Sequence, residues 1–505
     1  MSSNQSSASA WVIGLFIFCG VAAGVVILGL LAYVVGEKRA ETASVFNNKV
    51  VHISGIEPHN AKWGLNYPRE YETWAKTANM DFKSKHMGSM PQDTLSERPV
   101  LAVFWAGYAF ARDYKAPRGH FYAVDDVRNT LRTGHPGIDG GADLQPSTCW
   151  TCKSPDVPRM MAEVGTAEFY KSPWSSMGNQ IVNPIGCADC HDPENMELAI
   201  SRPGLKEVFQ RAYKDVGDAT RQEKRSLVCA QCHVEYYFQG DGKYLTLPWD
   251  DGTWGRGPAE LAEVTVEQME KYYDEAEYSD FVNAVSKTPI LKAQHPDWEL
   301  FRMGPHAKKG VSCADCHMPY VSEGGLKYSN HQLRSPLADI SSTCGTCHRD
   351  SEEALRGFVY ERQDKVIEIR ERLEAELFRA HVMAKAAMEA GATDGQLLEA
   401  RKLIRASQWR WDFVVASHGA PFHAPLESAR VLGLGLDKAY QAQLALQDVL
   451  NSLGAPPVEL PDISTLEKAQ AWIGLDMPAL RAAKEQFVET VVPQWLQQAR
   501  DAGRI

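Results

Sequence analysis

The sequence lacks the features that would indicate nucleic-acid binding or disorder. Its 505 residues contain no block of basic residues and no Gly-, Ser- or Gln-rich tract. The formal net charge is −11, with acidic and basic residues interspersed along the chain. No nucleic-acid partner is therefore predicted, and the composition fits a mostly globular protein with one large domain or two to three ordinary ones.

Cysteines outside a repeated motif are almost absent. Of the 11 cysteines, Cys19 lies in an apolar N-terminal segment and the other ten form five C-x-x-C pairs. A single such pair is also typical of half a zinc site or of a redox dithiol. The five pairs are Cys149/Cys152, Cys187/Cys190, Cys229/Cys232, Cys313/Cys316 and Cys344/Cys347.

Four of the pairs are followed at once by a histidine. In a C-x-x-C-H motif the two thiols form thioether bonds to a porphyrin, and the histidine ligates its iron. Four such motifs in one chain favour covalently bound c-type haem over zinc or a disulfide framework. The four histidines are His191, His233, His317 and His348.

The first pair lacks this histidine, because "CWTCK" at residues 149–153 ends in Lys153. One interpretation is a site that has lost its haem. The other is a haem whose iron takes the lysine amine as a ligand, which explains why both cysteines remain in a compartment where free thiols oxidise. Only a neutral amine has a lone pair to give, so the iron must displace a proton. An open face opposite the lysine would bind substrate, so we predict five haems, one for chemistry and four for electron transfer.

The N-terminal segment lacks charge over 25 residues, 11–35, which is long enough to span a bilayer. A cleaved signal peptide usually has an apolar stretch of only about 7–15 residues. Residues 1–36 are therefore predicted to be a membrane anchor or uncleaved signal, with a removed leader as the alternative. Because c-type haem is attached outside the bacterial cytoplasm, we predict that the body of the protein lies on the periplasmic face of the inner membrane.

Strong β alternation is also absent, so the predicted fold class is mainly α. Residues 37–350 contain many Pro and Gly breaks and are predicted to form the pentahaem catalytic region. Residues 351–505 contain long segments with helical periodicity. They are predicted to form a bundle of long helices that packs on the haem core and forms a dimer interface. The first helix is predicted to end at Gly391, and further helices are predicted near 394–417, 436–453, 465–474 and 477–502. The apolar face of the first helix contains Val366, Ile369, Leu373 and Leu377.

Several strings give the chain a specific resemblance. "CWTCK" precedes four C-x-x-C-H motifs, and "APRGH", "CAQCHVEYYF", "LKAQHPDWEL" and "CADCHMPY" stand around them. From about residue 67 to the C-terminal helices, the sequence resembles the pentahaem cytochrome c nitrite reductases that form ammonia. The N-terminal segment is not covered by this resemblance.

The resemblance implies roles for residues around the open haem face. Arg132, Tyr236 and His295 match the distal pocket of the family, although each residue alone would be interpreted as a surface Arg, a core Tyr and a hydrogen-bonded core His. A calcium ion beside the active site is implied as well, since a hard cation prefers several oxygen ligands. Its matching ligands are Glu235, the carbonyls of Tyr236 and Lys292, and Gln294.

The resemblance also implies the second histidine of each electron-transfer haem. It assigns His331 to the haem of His191, His120 to that of His233, His423 to that of His317 and His306 to that of His348. His418 is the alternative to His423. The remaining histidines are predicted to be structural or on the surface: His52, His59, His86, His135 and His381.

The predicted function is the six-electron reduction of nitrite to ammonium at the Lys153 haem. Nitric oxide, hydroxylamine and sulfite are alternative substrates, and a membrane quinol-oxidising multihaem cytochrome c is the predicted electron donor. A multihaem electron carrier without an open haem is the competing hypothesis, and a homodimer is the predicted assembly.

Overall fold

The computed structural model describes residues 5–46, 49–86, 88–211, 215–249, 264–323 and 326–505. Helix covers 60% of the chain and strand 6%, so the predicted mainly α class is confirmed. The N-terminal helix α1 (Gln5–Phe46) carries the apolar span Trp11–Arg39, whose side chains are not buried against the rest of the protein. This helix is long and apolar enough to cross a membrane. Residues 1–4 of the predicted anchor lie outside the described residues.

The region between residues 49 and 350 consists of short elements joined by turns. Its helices are α2 (Asn60–Asn66), α3 (Pro68–Ala75), α4 (Thr94–Glu97), α5 (Val100–Phe104), α6 (Ala123–Asn129), α7 (Asp156–Val164), α8 (Thr166–Lys171), α9 (Cys187–Cys190), α10 (Pro203–Arg211), α11 (Arg221–Ala230), α12 (Val266–Glu275), α13 (Asp297–Met303), α14 (Pro305–Lys308) and α15 (Cys313–His317). The described strands form two-stranded antiparallel sheets: β1 (Tyr237–Gln239) with β2 (Tyr244–Thr246), β3 (Phe281–Val282) with β4 (Pro289–Ile290), and β5 (Tyr320–Glu323) with β6 (Leu326–Ser329).

Two glycines in this region place histidines of the predicted haem sites. Gly119 has φ of 91°, a left-handed conformation that favours glycine, and the chain turns there into His120. A Cβ at Gly304 would lie 1.9 Å from the carbonyl oxygen of His423, so only glycine allows the two chain segments to approach this closely. This approach brings the turn that precedes His306 against the segment that carries His423.

The C-terminal region consists of long helices. They are α16 (Glu352–Glu389), α17 (Asp394–Ala416), the short α18 (Ala420–His423), α19 (Pro425–Ser452), α20 (Leu466–Trp472) and α21 (Met477–Asp501). α16, α17 and α19 pack against one another. On the predicted face of α16, Val366, Leu373 and Leu377 are buried and Ile369 is partly buried.

One helix begins earlier than the sequence predicted. α19 starts at Pro425 rather than near residue 436, since Pro at the first helical position is compatible with a helix start. Gly435, inside this helix, is a packing residue. A Cβ there would lie 2.9 Å from Cδ2 of Leu373, so the glycine lets α19 approach α16 closely.

The helical region shares one apolar core with the preceding region. A single cluster of buried apolar side chains runs from Leu95 to Val492. Polar contacts follow the same pattern: the Gln408 side chain donates to the Phe104 carbonyl at 2.8 Å, and the His381 ring lies 2.9 Å from the Ser286 hydroxyl. The C-terminal helices therefore form one wall of the interior that carries the C-x-x-C motifs.

Candidate haem centres and active site

All five C-x-x-C motifs open onto one cavity of ≈ 2220 Å³. The cavity is also lined by the residue that follows each motif, Lys153 or a histidine. Empty cavities of this size are unusual in protein interiors, because these interiors pack as densely as organic crystals. The cavity is therefore a built space for large groups held by the motifs.

Four pairs of histidine rings face each other across this cavity at nearly the same separation. A metal–imidazole bond of about 2.0–2.1 Å on each side, with about 1.1 Å from ring nitrogen to ring centre, puts two ring centres about 6.3 Å apart. The observed separations match this spacing, so each pair fits one six-coordinate iron. They are 6.2 Å for His191 and His331, 6.4 Å for His120 and His233, 6.3 Å for His306 and His348, and 6.3 Å for His317 and His423.

Burial favours the neutral, metal-ligating form of three of these imidazoles, those of His120, His191 and His423. It lowers the pKa of His120 to about 3 and that of His191 and His423 to about 4, so each ring is neutral at pH 7. His191 and His317 have Nδ1 within 2.9 Å and 3.1 Å of backbone carbonyls, which leaves the other nitrogen free to face the cavity.

His418 and His423 occupy different positions. The centre of the His418 ring is 5.7 Å from that of His295, whereas His423 is the ring opposite His317. This arrangement favours His423 as the predicted iron ligand.

Lys153 lies at the end of a turn fixed by aromatic packing. Its N–H donates to the Trp150 carbonyl at 2.9 Å, and the buried Trp150 stacks on Trp174 with ring centres 5.1 Å apart. Lys153 and Arg132 are both close enough to the Cys149 sulfur to oppose the rise in its pKa that burial causes. The structure therefore brings the lysine and the predicted anion-binding arginine to the same motif.

The turn that carries Arg132 is held by hydrogen bonds before and after this residue. The Arg132 Nε donates to Thr130 Oγ1 at 3.2 Å, and that hydroxyl donates to Asp113 at 2.8 Å. On the other side, the buried Lys484 of α21 donates to Thr133 Oγ1 at 3.0 Å and to the Gly134 carbonyl at 2.8 Å. Lys484 lies some 350 residues away in sequence, so the sequence offered no signal for this contact.

Tyr236 and His295 line the same cavity as Arg132. Burial, together with the sulfurs of Cys152 and Cys149, raises the pKa of Tyr236 well above its usual value, so its hydroxyl keeps its proton. Burial lowers the pKa of His295 to about 4, although the Asp297 carboxylate 3.2 Å away opposes this change. A protonated phenol and a neutral imidazole thus face the space beside the Lys153 motif.

Three of the four predicted calcium ligands, Glu235, Lys292 and Gln294, are linked by hydrogen bonds beside Tyr236. Glu235 is fully buried, and its carboxylate accepts hydrogen bonds from the Gln294 N–H at 2.6 Å and from the Tyr273 hydroxyl at 3.0 Å. The Gln294 side-chain N–H donates to the Lys292 carbonyl at 3.0 Å. Burial raises the pKa of Glu235 well above its usual value, and a bound cation would offset this cost. The donor set is one that a hard cation prefers.

Further carboxyls near this group were not predicted from the sequence. Asp280 accepts a hydrogen bond from the Lys292 N–H at 2.8 Å, and Glu299 accepts one from the Glu235 N–H at 2.9 Å. Burial raises the pKa of Asp280 to about 6 and that of Glu299 to about 8. The Lys292 ammonium donates to Asp412 at 2.8 Å. Because the ammonium is itself positively charged, Lys292 would bind a cation through its backbone carbonyl.

Glu235→Gln is expected to weaken calcium binding by more than about a hundredfold, the upper range for losing a group that only supports a ligand, because the substitution removes the only charged predicted ligand. Calcium content of the purified protein and the calcium concentration that restores activity after chelation measure the effect. Glu207→Gln is the control, since Glu207 bonds Tyr244 at 2.7 Å away from the predicted ligands. Unchanged calcium content in Glu235→Gln would contradict the assignment.

The paired histidines and the five cysteine pairs on one cavity define a multihaem c-type cytochrome in which one centre differs from the other four. The chain belongs to the cytochrome c552 family, whose sequence profile matches residues 59–503. The predicted family resemblance is thereby confirmed.

Relatives match over nearly the whole chain. A cytochrome c-552 from Bacteroides fragilis is 59% identical over 493 residues, covering 97% of this chain and 98% of the relative. A cytochrome c-552 from Porphyromonas gingivalis is 55% identical over 504 residues, covering 100% of this chain and 99% of the relative. Among solved structures, the chain is similar to the catalytic subunit of the cytochrome c nitrite reductase of Desulfovibrio desulfuricans, described as having two calcium sites. That match has a TM-score of 0.73 and 30% identity, and covers 85% of this chain and 91% of the other.

Proposed function

We propose that the protein is a periplasmic nitrite reductase that forms ammonium, with five c-type haems and calcium as cofactors. The observation that carries the proposal is Lys153, which replaces histidine in one of five haem motifs and lies on the same cavity as Arg132, Tyr236 and His295. The similarity to a nitrite reductase over 85% of the chain supports the same reaction. Nitrite reduction of this kind consumes six electrons and eight protons and releases ammonium and two water molecules.

The chain divides the haem sites into two kinds. The four histidine pairs would hold four irons on both faces, whereas Lys153 would hold the fifth from one face through its neutral amine. When bound, the haems supply the electrons and an iron that accepts the nitrogen lone pair of nitrite. The residues of the chain bind the anion, orient it and deliver protons.

Arg132 would bind nitrite through its guanidinium, whose fork of N–H groups suits the two oxygens of a small anion. The hydrogen bond that Arg132 donates to Thr130 and the one that Lys484 donates to Thr133 hold this turn before substrate arrives, so little ordering is needed on binding. Tyr236 would donate a hydrogen bond to the bound anion. His295 would pass protons, because the Asp297 carboxylate stabilises the positive ring that forms when it takes one up.

The direct test is an assay of ammonium from nitrite with a reduced viologen dye, together with a haem count by mass. The proposal requires five haems, ammonium as product, and a spectral change at one haem in five when nitrite or cyanide is added. Four haems would mean that the Lys153 motif is empty. Five haems that none of these ligands perturbs would instead identify an electron carrier. Nitric oxide, hydroxylamine and sulfite are assayed in parallel as alternative substrates.

We further propose that α1 anchors the protein at the periplasmic face of the inner membrane as an uncleaved signal. Its apolar span, Trp11–Arg39, has a mean hydropathy of 2.7 and no side chains buried against the body of the protein. An anchored enzyme would receive electrons from a membrane quinol-oxidising multihaem cytochrome c. Mass spectrometry of the mature chain tests whether residues 1–36 remain, and co-purification of a c-type cytochrome from solubilised membranes tests the donor.

We also propose a homodimer formed through an exposed stripe on α19. Leu426, Leu434, Tyr440 and Leu444 are 87%, 40%, 47% and 68% exposed, and Leu426, Gly433, Tyr440 and Leu444 recur at intervals of seven or four residues along one helix face. Exposed apolar residues that share a helix face are typical of a surface that packs against another helix.

Leu444→Glu is expected to convert the dimer to a monomer, because it places a charge within this apolar stripe. Light scattering of the purified protein in detergent measures the mass. Leu398→Glu is the matched control, since Leu398 is 55% exposed on α17, away from the stripe. Loss of the dimer in the Leu398 variant, or its survival in the Leu444 variant, would contradict the proposed interface.

A further inference from the structure

One predicted haem ligand makes a contact that its counterparts do not. Among the described residues, His191, His317 and His331 have Nδ1 near backbone carbonyls, at 2.9 Å from Met196, 3.1 Å from Arg334 and 2.8 Å from Ser329. His233 instead has Nδ1 3.3 Å from Oδ2 of Asp297. A carboxylate is a much stronger acceptor than a neutral carbonyl.

Asp297 is held in place by hydrogen bonds. Its Oδ1 accepts hydrogen bonds from the Ser417 hydroxyl at 2.6 Å and from the Gly419 N–H at 3.4 Å. Its Oδ2 lies 3.3 Å from Nδ1 of His233 and 3.2 Å from Nδ1 of His295. Asp297 is also the first residue of α13, where a negative charge is favourable. The carboxylate is therefore fixed by groups on three chain segments.

We propose that Asp297 is a positioning residue that makes the haem of the His120/His233 pair electronically distinct from the other three bis-histidine haems. When the far nitrogen of His233 ligates iron, its Nδ1–H donates to Asp297, and the ring becomes a more basic ligand. A more basic ligand stabilises ferric iron, so this haem has a lower reduction potential than it would with a carbonyl partner. The inference rests on the proposed function only in placing a haem between His120 and His233.

The His120/His233 pair lies where a lowered haem potential would assist electron transfer to the proposed catalytic haem. Cys232 of the same motif lies beside Cys152 of the Lys153 motif, close enough for the two sulfurs to influence each other's pKa. The His233 haem is thus next to the proposed catalytic haem, and a low potential there favours electron transfer toward the substrate. Oδ2 of Asp297 also lies 3.2 Å from Nδ1 of His295, so one oxygen contacts both the electron-transfer ligand and the pocket histidine.

The test is a redox titration of Asp297→Asn in the full pentahaem protein, with each haem followed by electron paramagnetic resonance and magnetic circular dichroism. The potential of one haem in five is expected to rise by the equivalent of at least a tenfold change in its one-electron equilibrium constant, about 59 mV. Asp297→Glu, which keeps the carboxylate, is expected to lie closer to the wild type. Five unchanged potentials, or an equal shift of all five, would overturn the inference.

Two further variants separate the hydrogen bond from the loss of charge and from misfolding. Asp315→Asn removes a carboxylate within another C-x-x-C-H motif, where Asp315 bonds Ser312, Gln222 and Arg225 rather than a haem ligand, so no single potential should rise as far. Ser417→Ala removes a donor to Asp297, and the same haem is expected to shift in the opposite direction. If Asp297→Asn fails to take up five haems, an unchanged potential in Ser417→Ala overturns the inference. Wild-type ammonium formation is measured separately and tests only the proposed function.

Discussion

Replacing Lys153 with leucine is expected to lower kcat for nitrite by more than about a hundredfold, because leucine has no lone pair for the iron. A hundredfold is the upper range for losing a group that only supports a metal ligand, and Lys153 is proposed to be the ligand itself. Cys149 and Cys152 remain in the variant, so the haem should stay covalently attached. Mass spectrometry of the haem content and the viologen-linked assay of ammonium together separate loss of chemistry from loss of haem.

Two companion variants make the Lys153 experiment specific. Lys153→His creates the motif found at the other four sites, so five haems and a partial return of activity are expected. Lys171→Leu is the control, because Lys171 is an exposed lysine of α8, and wild-type activity is expected. Nitrite turnover above a tenth of the wild-type rate in Lys153→Leu, with five haems bound, would show that the lysine is not the ligand of the catalytic iron.

The haem motifs could be predicted from sequence because their information is local. Two cysteines and the following residue are placed by a single turn, such as α15 (Cys313–His317), whatever the rest of the fold does. The long helices were also predictable, since the apolar spacing on α16 and the break at Gly391 depend on neighbouring residues. The start of α19 at Pro425 was not predicted, and the close packing of Gly435 against Leu373 within this helix is visible only in the fold.

The partners of the haem motifs could not be derived from the sequence without a family resemblance. His233 and His120 are separated by more than 100 residues, and only the fold shows that their rings are 6.4 Å apart. The sequence around Asp297 and Lys484 contains no pattern that predicts their roles. Each acts through a contact formed by the folded chain, with His233 in one case and with the turn of Arg132 in the other.

Arg132→Ala is expected to lower kcat/KM for nitrite by about 10²–10³, the usual cost of removing one preorganised group that stabilises charge in an active site. The fold should tolerate the change, because among the described residues the side chain of Arg132 hydrogen-bonds only Thr130 of its own turn, and it lies over the Phe110 ring at 4.6 Å. Arg132→Lys keeps the positive charge but loses the fork of N–H groups, so an intermediate value is expected.

Comparison of a charged with an uncharged substrate shows what Arg132 does. If the guanidinium binds the anion, Arg132→Ala should impair nitrite reduction far more than reduction of hydroxylamine, which is uncharged near neutral pH. Arg379→Ala on α16 is the control for loss of a positive charge, since Arg379 is about half exposed and paired with Glu376. Equal losses for both substrates in Arg132→Ala would mean that the arginine supports the haem or the fold, and the anion would then need another cation on the cavity wall.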